Sequence, residues 1–344
     1  MNMKSVNIER IPSVIETNSS NLRFVAGDFI RGLKIFDDKK AYIVGQLALN
    51  EGVSPHRNIN GEPSEKDYQL LFKAAMLIGV QKIGNPMNIT IGFPFSTFQL
   101  YKEISQTLFL KQHNIEFDTA PYSGGGVKSF IAEVESLSVM PEAIGCSLAL
   151  RSHENVKGNF FVISLGYGTC EGIFSTESGL VQRSSLSTFG IRYAVKLMET
   201  ELMKRFYLDL KNEHQIDAAF RNGFIFLNRK RVDVKDLRDS VLKQYYADVV
   251  SPSLRKAFDD NDFARANGMF LAGGGAMYET LVEEFKKEFE GITDVKVSDN
   301  AQNLASIGYC YNSLAQNGGD SSKALGLDIG NSSTVICTFN TASN

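Results

Sequence analysis

Three glycine-rich turns, each directly after a short apolar stretch, limit the fold of this chain more than any other feature. Their sequences are LGYGT at 165–169, AGGGA at 272–276 and DIGNSS at 328–333. The apolar stretch before each turn predicts a buried strand, and a helical pattern begins after AGGGA at about Tyr278. Glycine lets the backbone approach a ligand closely and adopt the positive φ angles that direct N–H groups at an anion. One such turn usually only reverses the chain, whereas the set of three predicts a protein that binds a polyphosphate or a nucleotide.

Apolar strands and amphipathic helices alternate along the chain, which predicts an α/β fold. The segments 160–176 and 324–339 are alike, because each is an apolar strand, a turn of small residues and a second apolar strand. Each lies in a half of the chain that also contains strands and helices, and 344 residues exceed one ordinary core. The sequence therefore predicts a duplicated, two-lobed architecture with a cleft between the halves. We also predict that one helix begins with Ser64 as its N-cap.

Charge and cysteine usage exclude several classes of protein. With a net charge of −3 and 43% apolar residues, the chain has the composition of a soluble globular protein and offers no electrostatic case for binding nucleic acid or a membrane surface. No apolar run approaches the roughly 20 residues of a membrane span, and the N-terminus lacks the apolar core of a signal peptide. The four cysteines form no CxxC pair and the four histidines lack metal-ligand spacing, so we expect a cytoplasmic protein without a transition metal. Each cysteine stands among apolar neighbours, which predicts buried, reduced thiols at Cys146, Cys170, Cys310 and Cys337.

Asp328 is a single acid at the end of the apolar strand ALGL. A carboxylate at the end of a buried strand needs a partner, and two explanations are possible. It caps its own turn through an Asx-type hydrogen bond, or it holds a hydrated Mg²⁺ beside bound phosphates. The small polar residues that follow at 331–333 favour the metal.

Five motifs together resemble those of the actin, Hsp70 and sugar-kinase ATPase superfamily. LGLDIGNSSTVICTF resembles its first phosphate loop and FFVISLGYGTCEG its second. VMPEAIGCSLAL resembles the first connecting helix, FLAGGGA the adenosine motif and NAQNLASIGYCY the second connecting helix. Within the superfamily, IVGQLALN, ITIGFPFS and VMPEAIG are most similar to the ParM-type bacterial actins of plasmid segregation. The resemblance covers nearly the whole chain and implies an actin-like fold, in which two mixed-sheet, ribonuclease-H-like domains surround a nucleotide cleft.

The order of the motifs differs from that of the family. In the family the first phosphate loop begins the chain, whereas here it ends the chain and the other four motifs follow in the usual sequence. The resemblance therefore implies a circular permutation, in which the linker NGGDSSK joins what are ordinarily the two ends. Both termini should then lie close together in one sheet, at a surface hairpin where a break is tolerated.

The resemblance also implies the lobes and their contents. The first lobe comprises residues 1–150 with 301–344 and includes the first phosphate loop at 324–339 and a hairpin insertion at about 20–62. The second lobe comprises residues 151–300 and includes the second phosphate loop at 160–176 and the adenosine motif at 270–278.

Each site residue carries a role implied by the resemblance. Asp328 would hold Mg²⁺ through water, and Glu142 would orient the attacking water. Without the resemblance, Glu142 is better explained as a first-turn acid favoured by the helix dipole. Three groups would contact the nucleotide: Gly330, Asn331, Ser332 and Ser333 on the β- and γ-phosphates, Gly166, Tyr167, Gly168 and Thr169 on the same phosphates, and Gly273, Gly274 and Gly275 on the adenosine.

One departure from the family pattern concerns hydrolysis. The second phosphate loop usually begins with an acid, but Ser164 stands there, Tyr167 replaces a glycine and Glu171 replaces a second aspartate. Serine offers no formal charge to a metal-bound water, whereas backbone N–H groups do most of the nucleotide binding. We therefore expect ATP (or ADP) and Mg²⁺ to bind, and hydrolysis to be slow or absent.

Three functions follow from the resemblance. The first is an ATP-dependent filament-forming protein, with self-association into filaments and an adaptor protein bound to DNA as a partner, but no direct contact with nucleic acid or membrane. The second is a nucleotide-gated scaffold that does not hydrolyse. The third, a small-molecule kinase of the same superfamily, is less favoured because the chain is short and carries no clear sugar-site aspartate. Whether ATP or GTP is preferred stays open.

Overall fold

The computed structural model describes residues 5–57, 61–206 and 213–340. The chain divides into two compact units, one running to Asn155 and resuming at Asn303, the other spanning Val156–Gln302. None of the helices in the described ranges is long and apolar enough to cross a membrane.

The strands are, in chain order, β1 (Val6–Pro12), β2 (Val14–Thr17), β3 (Lys34–Asp37), β4 (Lys40–Val44), β5 (His56–Arg57), β6 (Met87–Phe93), β7 (Gln112–Asp118), β8 (Val127–Pro141), β9 (Phe160–Leu165), β10 (Thr169–Thr176), β11 (Gly179–Phe189), β12 (Phe224–Leu227), β13 (Lys230–Asp233), β14 (Met269–Ala272), β15 (Val295–Val297), β16 (Ala324–Ile329) and β17 (Ser333–Phe339).

The helices are α1 (Gln46–Glu51), α2 (Lys66–Ile83), α3 (Phe95–Phe109), α4 (Ala120–Ser123), α5 (Glu142–Ser152), α6 (Arg192–Phe206), α7 (Glu213–Asn222), α8 (Lys235–Tyr245), α9 (Ser251–Ala257), α10 (Asp260–Arg265), α11 (Glu279–Glu288) and α12 (Leu304–Gln316). A π-helical turn joins α8 to α9, and a 3₁₀ turn precedes α11.

The first unit is built on a ten-stranded sheet in the order β1-β17-β16-β6-β8-β7-β3-β4-β2-β5. The hairpin of β16 and β17 lies inside this sheet, between β1 and β6. β17 pairs antiparallel with β1 from Val6 opposite Phe339 to Pro12 opposite Ser333, and β16 pairs parallel with β6. The last strands of the chain are therefore interior strands of the sheet.

The two ends of the described chain lie together, as the sequence predicts. The backbone N–H of Asn340 donates to the carbonyl oxygen of Ser5 at 2.9 Å, and the Asn340 side chain donates to the Ser5 hydroxyl at 2.5 Å. Both residues continue the pairing of β1 with β17 in one sheet.

A single residue carries the chain from one edge of this sheet to the other. β1 is the outer strand at one end of the order, and β2 lies beside the last strand at the opposite end, yet only Ser13 separates β1 from β2. The sheet must therefore curl until its two edges approach each other at Ser13. This closure brings β5 close to the turn between β16 and β17.

Helices cover both faces of the β16–β17 hairpin. Side chains alternate between faces along a strand, so neighbouring residues of β16 meet different helices. The Leu325 side chain lies against Gly79 of α2, whereas Gly326 faces the backbone of Ser306 and Cys310 in α12. The hairpin is consequently covered on both faces, and almost all residues of its strands are buried.

The second unit contains a five-stranded sheet in the order β11-β10-β9-β14-β15, with a separate hairpin of β12 and β13. β9 pairs antiparallel with β10 and parallel with β14, so the LGYGT and AGGGA turns begin at the ends of neighbouring strands. Aromatic residues fill the core of this unit, among them the fully buried Phe161, Phe174, Phe220 and Phe285.

Two local predictions need correction or refinement. Glu65, not Ser64, is the N-cap of α2, and no side chain caps it; the Ser64 hydroxyl instead donates to Glu62. The stretch 18–33 contains turns and bends rather than the strands of a hairpin, while β3 and β4 do form one around Asp38 and Lys39. All four cysteines are buried free thiols, as predicted.

The helices α5 and α12 approach each other closely in the first unit. A Cβ added to Gly308 of α12 would lie 1.8 Å from the carbonyl oxygen of Gly145 in α5. Two helices can pack this closely only if no side chain separates their backbones. α12 in turn fixes β16, because the Ser313 hydroxyl donates to the carbonyl oxygen of Leu325 at 2.9 Å.

We therefore predict that Gly308→Ala lowers the free energy of unfolding by about 3 kcal/mol, since overpacking against a backbone outweighs the gain of about 1 kcal/mol in helix propensity. Urea denaturation followed by circular dichroism measures the change. Gly126→Ala is the matched control, because a Cβ there meets no heavy atom within 4 Å. Equal midpoints for the two variants would contradict the close packing.

Candidate functional site

The turn between β16 and β17 is held from one side by the junction of β1 and β2. The backbone N–H of Ser13 donates to the carbonyl oxygen of Ser332 at 3.1 Å, and the Ser13 and Thr334 hydroxyls lie 2.9 Å apart in a buried bond. The N–H of Gly330 closes the turn by donating to the carbonyl oxygen of Ser333 at 3.1 Å. The Gly330 amide is therefore engaged within the turn, and phosphate contacts in this segment fall to the residues after it.

Asp328 lies just before this turn, on the face of the sheet covered by α12. Asp328 pairs with Val335 of β17, and Val335 pairs with Arg10 of β1. Asp328 and Arg10 therefore lie in one row on the same face of the sheet. The guanidinium of Arg10 donates from Nη2 to Oδ1 of Asn303 at 2.6 Å. Burial raises the pKa of Asp328 to about 6, and the positive charge of Arg10 partly opposes that rise.

The residues around Asp328 fit a magnesium ion. The carboxylate keeps some contact with solvent although protein surrounds it closely, and its raised pKa means that a nearby cation would stabilise its ionised form. Mg²⁺ is usually held by one or two carboxylates, substrate phosphates and waters rather than by a full protein cage. In keeping with this, no three His, Cys, Asp or Glu side chains gather into a metal-binding group within the described ranges.

Asp328 and Glu142 lie at the same edge of the sheet. β16, β6 and β8 are parallel neighbours, with Leu327 opposite Ile91 and Phe93 opposite Pro141. The carboxyl ends of these strands share one edge, and two strand spacings of roughly 4.8 Å put the backbones of Asp328 and Glu142 at least about 10 Å apart. The two acids therefore lie on the same sheet edge, two strands apart.

Glu142 is the first residue of α5, which follows β8 without a loop. Pro141 is the N-cap, and Glu142 is the acidic residue of the first turn. This position satisfies the helix-dipole explanation, and it equally places the carboxylate at the strand ends. The role of Glu142 in catalysis stays a prediction.

Three hydrogen bonds to its carbonyl groups hold the turn of Gly166–Thr169 in the second unit. The backbone N–H groups of Gly190, Ile191 and Arg192 donate to the carbonyl oxygens of residues 168, 166 and 167, at 3.1, 3.0 and 2.9 Å. In a trans peptide the N–H points away from the preceding C=O. The N–H groups of residues 167–169 are therefore directed away from the 190–192 segment, in the manner of an anion-binding nest.

The turn of Gly273–Gly275 packs against the start of the LGYGT turn within the same unit. Gly273 has a φ of 81°, and a Cβ there would lie 2.6 Å from the carbonyl oxygen of Leu165. Its N–H donates to the carbonyl oxygen of Ala301 at 2.7 Å. The structure thus brings together the residues predicted for the second phosphate loop and those predicted for adenosine, and Gly274 meets no heavy atom within 4 Å of its Cβ position.

Ser164 and Glu171 are directly opposed across β9 and β10. Directly opposed residues in an antiparallel pair point to the same face, and both are buried, Glu171 completely. Ser164 therefore has the Glu171 carboxylate beside it on the neighbouring strand, but Glu171 lies within the sheet and not on the turn itself.

Three parts of the site were missed by sequence reasoning. Arg57 and the 190–192 segment bond to a predicted turn, and the charge of Arg10 acts on Asp328 from two strands away. Gly190, which begins the 190–192 segment, is a signal that the sequence does contain, because a glycine between a strand and a helix often marks a place where another stretch of backbone comes close. Nothing local in the sequence singles out Arg10 or Arg57.

Comparison with known proteins identifies similar molecules. Residues 2–145 match the family model described as the N-terminal domain of actin-like proteins. The archaeal actin homologue Ta0583 superposes with a TM-score of 0.70 at 16% identity, covering 92% of this chain and 99% of that one. A subunit of a 15-stranded ParM filament from Clostridium botulinum gives a TM-score of 0.67 at 16% identity, covering 92% and 100%. Ta0583 in complex with ADP gives 0.61 at 16% identity, covering 89% and 90%. No curated protein matches the sequence.

The raised pKa of Asp328 predicts how stability changes with pH. Because the folded-state pKa of about 6 lies above the usual 3.8, the contribution of Asp328 is full below about pH 4 and is lost as the pH rises through 6. Asp328→Asn replaces the carboxylate with an amide that does not ionise, so the stability no longer falls as the pH rises through 6. We predict that it raises the free energy of unfolding at pH 7.5 by about 1–2 kcal/mol, because the neutral amide avoids the cost of burying a carboxylate charge that keeps some contact with solvent.

Thermal melts of both proteins at pH 4 and pH 7.5, without nucleotide, measure this difference. Glu103→Gln, at an exposed position of α3 in the same unit, serves as the control and should change neither melt. A variant that is less stable than the wild type at pH 7.5 would show that Asp328 is satisfied by its own turn, as in the Asx explanation.

Proposed function

Because the chain carries an actin-like N-terminal domain and has the actin-like fold, we propose that it is a filament-forming protein that binds ATP, or ADP, with Mg²⁺ and hydrolyses ATP slowly. The α/β, two-domain fold was predicted from the sequence and is confirmed by these matches, which also support the predicted superfamily. One observation carries the proposal furthest: the Gly166–Thr169 turn is bonded through its carbonyl groups at 190–192, which directs its N–H groups outward as a phosphate site requires.

In this proposal the nucleotide is bound mainly by backbone groups. The turns at 331–333 and 166–169 take the phosphates, and Gly273, Gly274 and Gly275 lie against the adenosine. Asp328 holds the metal through water, and Mg²⁺ when bound neutralises charge on the phosphates.

Hydrolysis is assigned to Glu142 as the group that orients the attacking water. Its place at the strand ends, on the same sheet edge as Asp328, supports this role. The rate should be low, because Ser164 carries no charge where the family has an acid. The second candidate, a nucleotide-gated scaffold without hydrolysis, is favoured by that same serine.

We further propose that the chain is a circular permutation of the family order. The position of β16 and β17 between β1 and β6 supports it, as does the hydrogen bonding of Asn340 to Ser5. The family match at 2–145 does not include the β16–β17 hairpin.

Self-association is proposed from fold likeness. One similar structure is a ParM filament subunit and another is described as an Alp12 filament, with a TM-score of 0.53 at 16% identity, covering 89% of this chain and 90% of that one. Head-to-tail contacts of one chain generate open filaments, and a bound nucleotide that shifts the subunit between two shapes would control their growth. Because ParM-type proteins segregate plasmids, the proposal includes a DNA-bound adaptor as the partner that links filament to cargo.

Glu142→Gln tests the proposed hydrolysis. We predict that the variant binds MgATP within about threefold of the wild type, releases phosphate at least tenfold more slowly and forms filaments that persist longer, because the water loses its orienting group while the phosphate turns stay intact. Nucleotide titration, a phosphate-release assay and electron microscopy with ATP or ADP measure the three quantities.

Glu103→Gln should match the wild type in all three assays. An unchanged phosphate-release rate in Glu142→Gln would leave Glu142 as a helix-terminal acid only. Filaments with ATP but no phosphate release from the wild type would favour the non-hydrolysing scaffold. Nucleotide binding without filaments at any concentration would remove the filament part of the proposal.

A further inference from the structure

Arg57 is a buried arginine that reaches the turn between β16 and β17. It is the second residue of β5, an edge strand of the ten-stranded sheet, and only 6% of its surface is exposed. Its Nη1 donates to the hydroxyl oxygen of Ser332 at 3.2 Å. The two residues are 275 positions apart in sequence, so this contact exists only because the sheet closes on itself at Ser13.

The backbone of Arg57 is fixed on two sides. It pairs with Val14 of β2, one residue after the Ser13 whose N–H holds the Ser332 carbonyl. The preceding residue, His56, places its Nε2 3.0 Å from Oδ2 of Asp67 in α2. Burial of the Arg57 side chain and its bond to Ser332 hold the guanidinium at the turn, so less side-chain entropy is lost when it binds a ligand.

A buried guanidinium beside a turn of small polar residues is chemically suited to phosphate. Guanidinium offers several N–H donors in a planar fork that matches two oxygens of one phosphate, and such charged hydrogen bonds are about twice as strong as neutral ones. The Ser332 hydroxyl that it contacts belongs to the turn proposed for the β- and γ-phosphates. Arg10, by comparison, is bonded to Asn303 and its charge faces Asp328.

We infer that Arg57 is the cationic phosphate-binding residue of the first phosphate turn and that it favours nucleoside triphosphate over diphosphate. A triphosphate brings one more charged phosphoryl group to the turn, so it gains more than a diphosphate from a desolvated positive charge. This inference rests on the proposed function and names a residue that the glycine turns alone do not supply.

The experiment compares ATP and ADP affinity in Arg57→Gln, Arg57→Lys and the control Arg31→Gln, by displacement of a fluorescent ADP analogue in the presence of Mg²⁺. Arg31 is an arginine of the same unit whose side chain is 68% exposed. We expect Arg57→Gln to weaken ATP binding at least tenfold and ADP binding less than threefold. Arg57→Lys should recover part of the loss, because it restores charge without the planar fork. Arg31→Gln should change neither affinity.

The outcomes separate this inference from the proposed function. If the wild type binds neither ATP nor ADP, both fail. If the wild type binds but Arg57→Gln weakens ATP and ADP equally, or weakens neither, the inference alone is overturned and Arg57 only supports the shape of the turn. Because Arg57→Gln removes a buried contact, its melting temperature without nucleotide is measured as well. Should it not fold, the ATP-to-ADP ratio of the folded Arg57→Lys variant decides, and a ratio equal to that of the wild type overturns the inference.

Discussion

The first unit depends on a hairpin from the end of the chain that occupies the interior of its main sheet. β16 and β17 have strands on both sides and helices on both faces, and almost every one of their residues is buried. Their turn carries Asp328 and Ser332, so the same packing that completes the sheet also sets the position of the candidate metal and phosphate residues. Formation of the site is therefore coupled to folding of the first unit, because without the hairpin β1 loses its strand partner and β6 is left as an edge strand.

The two units present their turns by different physical means. In the first, the turn is fixed by hydrogen bonds from the β1–β2 junction and is approached by two arginines, so charge contributes strongly. In the second, the turn is fixed through its carbonyl groups and offers backbone N–H groups. A site of the second kind tolerates replacement of its side chains, which explains how Ser164 and Tyr167 can occupy positions of an acid and a glycine while the turn keeps its form.

Much of this could be read from the sequence because it is local. Strand, glycine turn and strand are adjacent in sequence at 160–176 and 324–339, and the position of Asp328 after an apolar strand is visible without a structure. The contacts that were missed join distant segments: Arg57 to Ser332, Arg10 to the row of Asp328, and 190–192 to 166–168. Local preference also misplaced the start of α2, where Ser64 has the right chemistry for a cap but bonds to Glu62 instead. Sequence patterns identify the turns, whereas the closure of the sheet decides which side chains reach them.

The central claim is the proposal that the turns at 328–333, 165–169 and 273–275 bind nucleotide. Hydrogen–deuterium exchange of the full chain with and without MgATP tests it most directly, since it reports each segment separately. The account predicts slower exchange in peptides that cover all three turns, with little change in the β12–β13 hairpin. Protection confined to other segments, or none at saturating MgATP, would contradict it.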